Sequence, residues 1–301
     1  MNKKEYFKTF NDISLPMANK IIEEKLNPTL VNFETRTLCN SRCAFCPVSI
    51  QNEIREDTSM PLILVEKVSK DLKEKNFDGI LGFQLNNEPL IDKNIFDIIK
   101  ITKDYLPDCR RKIITNGIKL TQDSAVRLIE SGINIILVDN YSDKKSDEDR
   151  LRSIEEFIKN KFPSIAIKIQ YERFLTEIKN NRGGRAREDE NNMTEVTDAK
   201  LIDNPKADYP CYRPFSSLVI TTDGTIGVCC YDVYFELNIG NANESNNVID
   251  IWHNERANYI RENLKKGNRD FIDVCKMCDA EFVNDFQVKK GGLSNYELEH
   301  D

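Results

Sequence analysis

The chain contains nine cysteines, and eight of them fall into two groups. The first is Cys39, Cys43 and Cys46, with three and two residues between successive members. Closely spaced thiolates on one loop can reach three irons of one iron–sulfur cubane. Three ligands leave the fourth iron without a protein partner, and an open metal position is a condition for catalysis rather than structure. Zinc would normally find a fourth ligand nearby. The only histidines, His253 and His300, are remote in sequence. The second group is Cys211, Cys229, Cys230, Cys275 and Cys278, in which Cys275-Lys276-Met277-Cys278 has a spacing common in metal sites. Four of these thiolates could complete a cluster with no open iron, or hold tetrahedral zinc; spacing alone leaves both open. Cys229 and Cys230 are alternatives for one ligand position. Cys109 matches no motif and reads as an ordinary thiol.

These residues need a scaffold to bring them together. Residues 29–35 end in strand-like alternation and lead directly into Cys39. Helical patterns follow over 65–76, 94–105, 122–131 and 147–161, interleaved with strand patterns over 79–85, 112–115, 134–138 and 165–170. A run of βα units implies a parallel sheet. About five units precede residue 180, fewer than the eight of a closed barrel. The expected fold class is therefore α/β, a partial, open parallel β/α barrel. Catalytic residues of such sheets lie at the C-terminal ends of strands, and Cys39, Glu88, Asn116 and Asp139 all follow expected strands. The pattern breaks near Pro205. Beyond it, 217–222 and 225–229 flank Asp223-Gly224 as a β-hairpin would, and a helix is expected over 254–265. The expected division is a lead-in over 1–30 with one helix near 17–25, a barrel core over 31–205, a small C-terminal metal-bearing module over 206–285, and a tail over 286–301.

Composition narrows the function classes. Hydrophobic residues make up 40% of the chain, charged residues 31%, and the net charge is −7. No broad basic face suggests a nucleic-acid partner. The tract from Asn180 to Arg187, with Arg182 near its start, is basic but short, and reads as a solvated loop or as a holder of an anionic group. No apolar run approaches the ~20 residues needed to span a bilayer, and the N-terminus lacks the apolar segment of a secretory signal. A cytoplasmic location without a membrane partner is expected, where cysteines serve metals rather than disulfides.

The segment Cys39-Asn40-Ser41-Arg42-Cys43-Ala44-Phe45-Cys46-Pro47 resembles the signature of the radical SAM superfamily, including the aromatic Phe45 before the last cysteine. The resemblance implies a 4Fe–4S cluster on the three cysteines. It implies S-adenosyl-L-methionine (SAM) chelating the open iron through its amino and carboxylate groups, and a 5′-deoxyadenosyl radical that takes a substrate hydrogen. A flavodoxin or ferredoxin-type electron donor goes with that chemistry. Asn86-Asn87-Glu88-Pro89 sits where the family often has Gly-Gly-Glu-Pro, which implies that Asn87 and Glu88 lie near the SAM amino group, although both glycines are replaced. Thr115-Asn116-Gly117 also resembles the family, and Asp139 with Asn140 is a candidate for the ribose hydroxyls. Cys211-Tyr212-Arg213-Pro214-Phe215, Thr222-Asp223-Gly224, Cys229-Cys230-Tyr231-Asp232, Ile239-Gly240-Asn241 and Ile251-Trp252 look like a SPASM-type extension. Full extensions carry two extra clusters, whereas the cysteines here suffice for one, as in the shortened twitch variant. The resemblance thus implies a second 4Fe–4S cluster on Cys211, Cys229, Cys275 and Cys278, an order similar to that of the aminocyclitol dehydrogenases of this group.

A carbon radical beside oxygen or nitrogen is easily oxidised once a base takes a proton, and a nearby cluster can accept the electron. A dehydrogenase acting on a sugar, aminocyclitol or nucleotide sugar is the first expectation, with Asp232, Arg213, Tyr231 and Arg182 as candidates for substrate binding or proton transfer. Modification of a ribosomal peptide, by cross-linking, oxidation or epimerisation, is the second. The roughly 30 residues ahead of the core are few for a leader-binding domain. A non-enzymatic metal or redox module is the third, and would bind no SAM.

Overall fold

A computed structural model describes residues 8, 10–43, 46–48, 55–171, 183–184 and 210–279. Phe45, Arg182 and the tail over 286–301 lie outside the described residues. Eight strands form one sheet: β1 (Leu30–Phe33), β2 (Ile80–Gly82), β3 (Arg110–Thr115), β4 (Ile135–Asp139), β5 (Ala166–Gln170), β6 (Ser217–Ile220), β7 (Thr225–Gly227) and β8 (Asn238–Asn241). Their spatial order is β5-β4-β3-β2-β1-β6-β7-β8. The first five are parallel and run across the sheet in chain order. Helices α2 (Leu62–Glu74), α3 (Ile95–Tyr105), α4 (Gln122–Ser131) and α5 (Lys145–Lys161) form the crossovers.

Each crossover helix buries an i, i+3, i+4 stripe, as a helix lying on a sheet must. Leu64, Val65, Val68 and Leu72 serve α2, and Leu151, Ile154 and Ile158 serve α5. Helix α4 starts with a capping box in which the Thr121 side chain accepts from Ser124 N–H, satisfying donors that the first turn leaves open.

The C-terminal region is joined to the barrel through the sheet itself. Residues 217–227 do form the expected hairpin about Asp223-Gly224. Its first strand, β6, also pairs in parallel with β1 from Leu30↔Ser217 to Phe33↔Ile220. It is the sixth parallel strand, reached from the far side of β1. The division placed at 206 therefore falls within one sheet. Apolar residues beyond it, among them Val248, Trp252, Leu264 and Val274, belong to the same buried cluster as Val31, Leu81 and Ile136. Helices α6 (Val248–Trp252) and α7 (Glu255–Lys265) supply Val248, Trp252 and Leu264 among them.

The lead-in also packs. Helix α1 (Leu15–Glu23) places Ala18 and Ile21, with Phe10, against Tyr212 and Phe215 in a small separate cluster. The Tyr212 and Phe215 rings stack at 5.4 Å. On the other side of this segment, Cys211 N–H donates to the Leu264 carbonyl at 3.0 Å. Helices α1 and α7 thus clamp the stretch that presents Cys211.

His253, after α6, lies 3.0 Å from the Leu26 carbonyl through Nε2. Burial and the nearby Arg261 guanidinium push its pKa down from 6.5 to about 4. The folded chain holds the imidazole neutral, while the unfolded chain takes up a proton first as pH falls. This contribution is complete above about pH 6.5 and is lost as pH falls toward about 4. Urea unfolding at about pH 7 and about pH 5 should show a fall in stability, and His253→Gln should reduce that fall.

Candidate active site

The loop after β1 carries the first cysteines to the C-terminal edge of the sheet. Asn116, at the end of β3, holds it: Nδ2 donates to Asn40 Oδ1 at 2.8 Å and Ser41 Oγ at 3.0 Å, and reaches Cys39 Sγ at 4.0 Å. Ser41 N–H lies 3.4 Å from Cys39 Sγ, and Cys46 N–H donates to the Cys43 carbonyl at 2.9 Å. The chain turns sharply after Asn116. Gly117 has φ of 75°, and a Cβ there would meet Val138 at 2.7 Å, so glycine suits this corner.

Glu88 is 2% exposed. Its Oε1 accepts from Thr115 Oγ1 at 2.6 Å and Leu90 N–H at 3.0 Å, and its Oε2 accepts from Asn116 N–H at 2.8 Å. Its own N–H donates to the Leu38 carbonyl at 3.1 Å. Burial pushes the carboxyl pKa up, and the three donors pull it back. Glu88 thus ties the β2 and β3 ends to the residue before Cys39. Asn87 does related work, accepting from Leu85 N–H at 2.9 Å and donating to Thr35 Oγ1 at 3.0 Å. Asp139 ends β4 half-buried, its register partner on β5 being Gln170.

A buried ion pair lies under the loop. Arg55 Nη1 and Nη2 donate to Glu34 Oε1 and Oε2, both at 2.8 Å, and the Glu34 side chain is fully buried. Burial raises the Glu34 pKa and Arg55 opposes it. The Arg55 guanidinium also lies 5.9 Å from the centre of the Phe235 ring. One side chain therefore links the barrel strand β1 to the C-terminal region.

In that region Cys211, Cys229, Cys275 and Cys278 line a single cavity with Pro214, Tyr231, Leu237, Leu264, Arg269 and Val274. Cys230 does not line it; its Sγ accepts from Arg213 Nη2 at 3.0 Å. Burial raises the Cys229 and Cys275 thiols well above their ordinary value, as do the neighbouring thiols, while Arg213 and Arg269 act in the opposite sense on Cys229 and Cys275 respectively. Arg269 is 4% exposed and donates to the Cys278 carbonyl at 3.0 Å. Asp232 is also buried, and its carboxylate accepts from Glu236 N–H at 3.0 Å and Leu237 N–H at 2.6 Å, which fixes the turn beside the cavity. Gly183 and Gly184 lie against Val274 and Met277, so the glycine pair of the basic tract meets the last cysteine loop.

The donor sets fit iron–sulfur clusters. Four thiols share one cavity, a full ligand set for a cubane with no open iron. Burial pushes Cys39 up to about 11, with Glu88 and Cys46 adding in the same direction. Such thiols are neutral without metal, and bound iron supplies the positive charge that makes them thiolates.

Sequence comparison accounts for both regions. Residues 34–171 match the profile of the Radical SAM superfamily, and residues 211–279 match that of the SPASM iron–sulfur cluster-binding domain. The chain belongs to the radical SAM superfamily and is an enzyme of the class with an auxiliary iron–sulfur domain. Among named relatives it is similar to the S-adenosyl-L-methionine-dependent 2-deoxy-scyllo-inosamine dehydrogenase of Niallia circulans, at 28% identity over 255 residues, covering 83% of this chain and 92% of that one. The crystal structure of BtrN in complex with AdoMet and 2-DOIA superposes with a TM-score of 0.67 at 25% identity, covering 85% of this chain and 94% of that chain. AdoMet-bound anSMEcpe shares the fold at a TM-score of 0.54 and 12% identity, covering 90% and 91%. The expected cofactors, SAM and 4Fe–4S clusters, are those of this class. Among the described residues no helix is long and apolar enough to cross a membrane.

Arg55 and Arg269 escaped the sequence reading, because nothing in the sequence distinguishes a buried arginine from a solvated one and no motif surrounds either.

Proposed function

We propose that this radical SAM enzyme oxidises a ring hydroxyl of an aminocyclitol to a ketone; its Niallia circulans relative is named as a 2-deoxy-scyllo-inosamine dehydrogenase. One observation carries the reading: four thiols line one cavity beside the barrel, enough to leave no iron of an auxiliary cluster open. A cluster closed in this way serves as an electron acceptor rather than a second reaction centre. When bound, SAM and the two clusters supply a hydrogen-abstracting radical and a one-electron acceptor; the chain supplies ligands, orientation and a proton path. In this reading Cys39, Cys43 and Cys46 hold the catalytic cluster, and Cys211, Cys229, Cys275 and Cys278 the auxiliary one. Asn116 and Glu88 shape the loop beneath SAM, and Asp139 serves the ribose. Tyr231, which lines the auxiliary cavity, is the candidate for proton transfer, and Arg213, a fixed cation that only donates, is a candidate for substrate binding; Asp232 is engaged by two backbone donors. A flavodoxin or ferredoxin-type protein is the electron donor.

The test is anaerobic turnover of reconstituted protein with SAM, a reductant and 2-deoxy-scyllo-inosamine. The expected products are 5′-deoxyadenosine and an amino-ketone in equal amounts. Release of 5′-deoxyadenosine with recovery of unchanged substrate would overturn the dehydrogenase reading.

A further inference from the structure

Inside the barrel, β1 alternates in the usual way. Val31 and Phe33 belong to the apolar core, so Asn32 faces the lumen, where it is 4% exposed. Strand β2 ends opposite, at Gly82. The ladder to β3 runs out just beyond: Phe83 N–H still donates to the Lys112 carbonyl at 3.1 Å, but Ile114 N–H donates to the Gln84 side chain, Oε1, at 3.2 Å. A backbone N–H needs an oxygen, so this bond fixes which end of the Gln84 amide is which. Its Nε2 then donates to Asn32 Oδ1 at 3.0 Å. That bond in turn fixes the Asn32 amide and leaves Nδ2 as its outer end. Among the described residues nothing accepts from Asn32 Nδ2, and the atom is not sealed from solvent. The Asn32–Gln84 bond lies across Gly82, where a Cβ would stand 2.1 Å from Asn32 Oδ1 and 2.7 Å from Gln84 Nε2. Glu34, just beyond the end of β1, already spends both oxygens on Arg55. On this strand the spare hydrogen bond belongs to Asn32.

The geometry points to Asn32 as a substrate-binding residue: its Nδ2 donates to a hydroxyl oxygen of a polyhydroxylated ring at the floor of the barrel, with Gln84 as the positioning residue. This rests on the aminocyclitol reading above. A neutral, oriented donor suits a polyol, whose hydroxyl oxygens accept hydrogen bonds and carry no charge.

The test uses the holoenzyme with both clusters and SAM bound, and calorimetric titration with 2-deoxy-scyllo-inosamine. Asn32→Ala should weaken binding by about tenfold to a hundredfold, because a buried substrate hydroxyl loses its partner, while SAM affinity stays unchanged. Gln84→Glu keeps one oxygen for Ile114 N–H and turns a second toward Asn32. Asn32 must then rotate its Nδ2 onto Glu and show Oδ1 to the lumen; the substrate hydroxyl can meet Oδ1 only by turning its proton away from its own acceptor, so substrate affinity should fall while SAM affinity holds. A merely structural role for Gln84 would not separate the two affinities. If Asn32→Ala fails to retain SAM, the Gln84→Glu variant decides by the same criterion. Unchanged substrate affinity in a SAM-competent variant, with wild type still oxidising 2-deoxy-scyllo-inosamine, would overturn the Asn32 assignment and leave the dehydrogenase reading standing. Wild type that neither binds nor oxidises this compound would overturn both.

Discussion

Cys229→Ala should lower iron and acid-labile sulfide from about eight of each per chain to about four, whereas Cys230→Ala should leave both near about eight. The two residues are adjacent, and their environments differ. Cys229 lines the cavity with Cys211, Cys275 and Cys278, and its thiol is raised by burial and by its thiol neighbours. Cys230 instead accepts from Arg213. In the Cys229 variant the barrel and its three-cysteine loop are untouched, so SAM cleavage should continue while ketone formation stops. The readouts are metal analysis and the ratio of ketone to 5′-deoxyadenosine. The opposite pattern, with Cys230 required and Cys229 dispensable, would mean that the auxiliary ligand set has been misassigned.

The second large effect is expected at Glu88. Glu88→Ala strands three donors, Thr115 Oγ1, Asn116 N–H and Leu90 N–H, at a position 2% exposed. A buried donor left unmet costs about 1–3 kcal/mol; with partial relaxation and some water entry the total should be about 2–4 kcal/mol. Glu88→Gln is isosteric but still places an NH₂ against one of the backbone donors, so it should lie between wild type and alanine. Because the Asn116 backbone that Glu88 holds carries the side chain fastening the Cys39 loop, 5′-deoxyadenosine formation should fall by on the order of tenfold or more. Urea unfolding and single-turnover SAM cleavage check the two effects. A fully stable Glu88→Ala protein with normal SAM cleavage would show that these bonds do not organise the loop.

The barrel half of the fold was legible because local rules and global fold agree there. A 3.6-residue apolar stripe marks α3 through Ile95, Ile98, Ile99 and Thr102, and β3 alternates residue by residue. The end of Thr115-Asn116-Gly117 needs a glycine for steric reasons visible in the motif. The place of β6 was not legible. Ser217–Ile220 reads locally as half of a hairpin, and nothing in those four residues says that their other edge pairs with β1, 187 residues earlier between Thr29 and Ser216. For the same reason the C-terminal region looked like a module poor in apolar pattern, although Trp252 and Leu264 complete the common core. At the site, the cysteines announced themselves by spacing. Carboxylates did not announce their roles: Asp232 and Glu88 both stood out in sequence as chemical groups, and both spend their oxygens on backbone N–H groups.

The central claim is that the loop after β1 holds a cluster with one iron free to bind SAM. Reconstituted protein given SAM and a strong reductant under argon should release 5′-deoxyadenosine and methionine, and Cys43→Ala should abolish that release while the auxiliary cluster remains. A protein loaded with about eight irons per chain that leaves SAM intact would contradict the account.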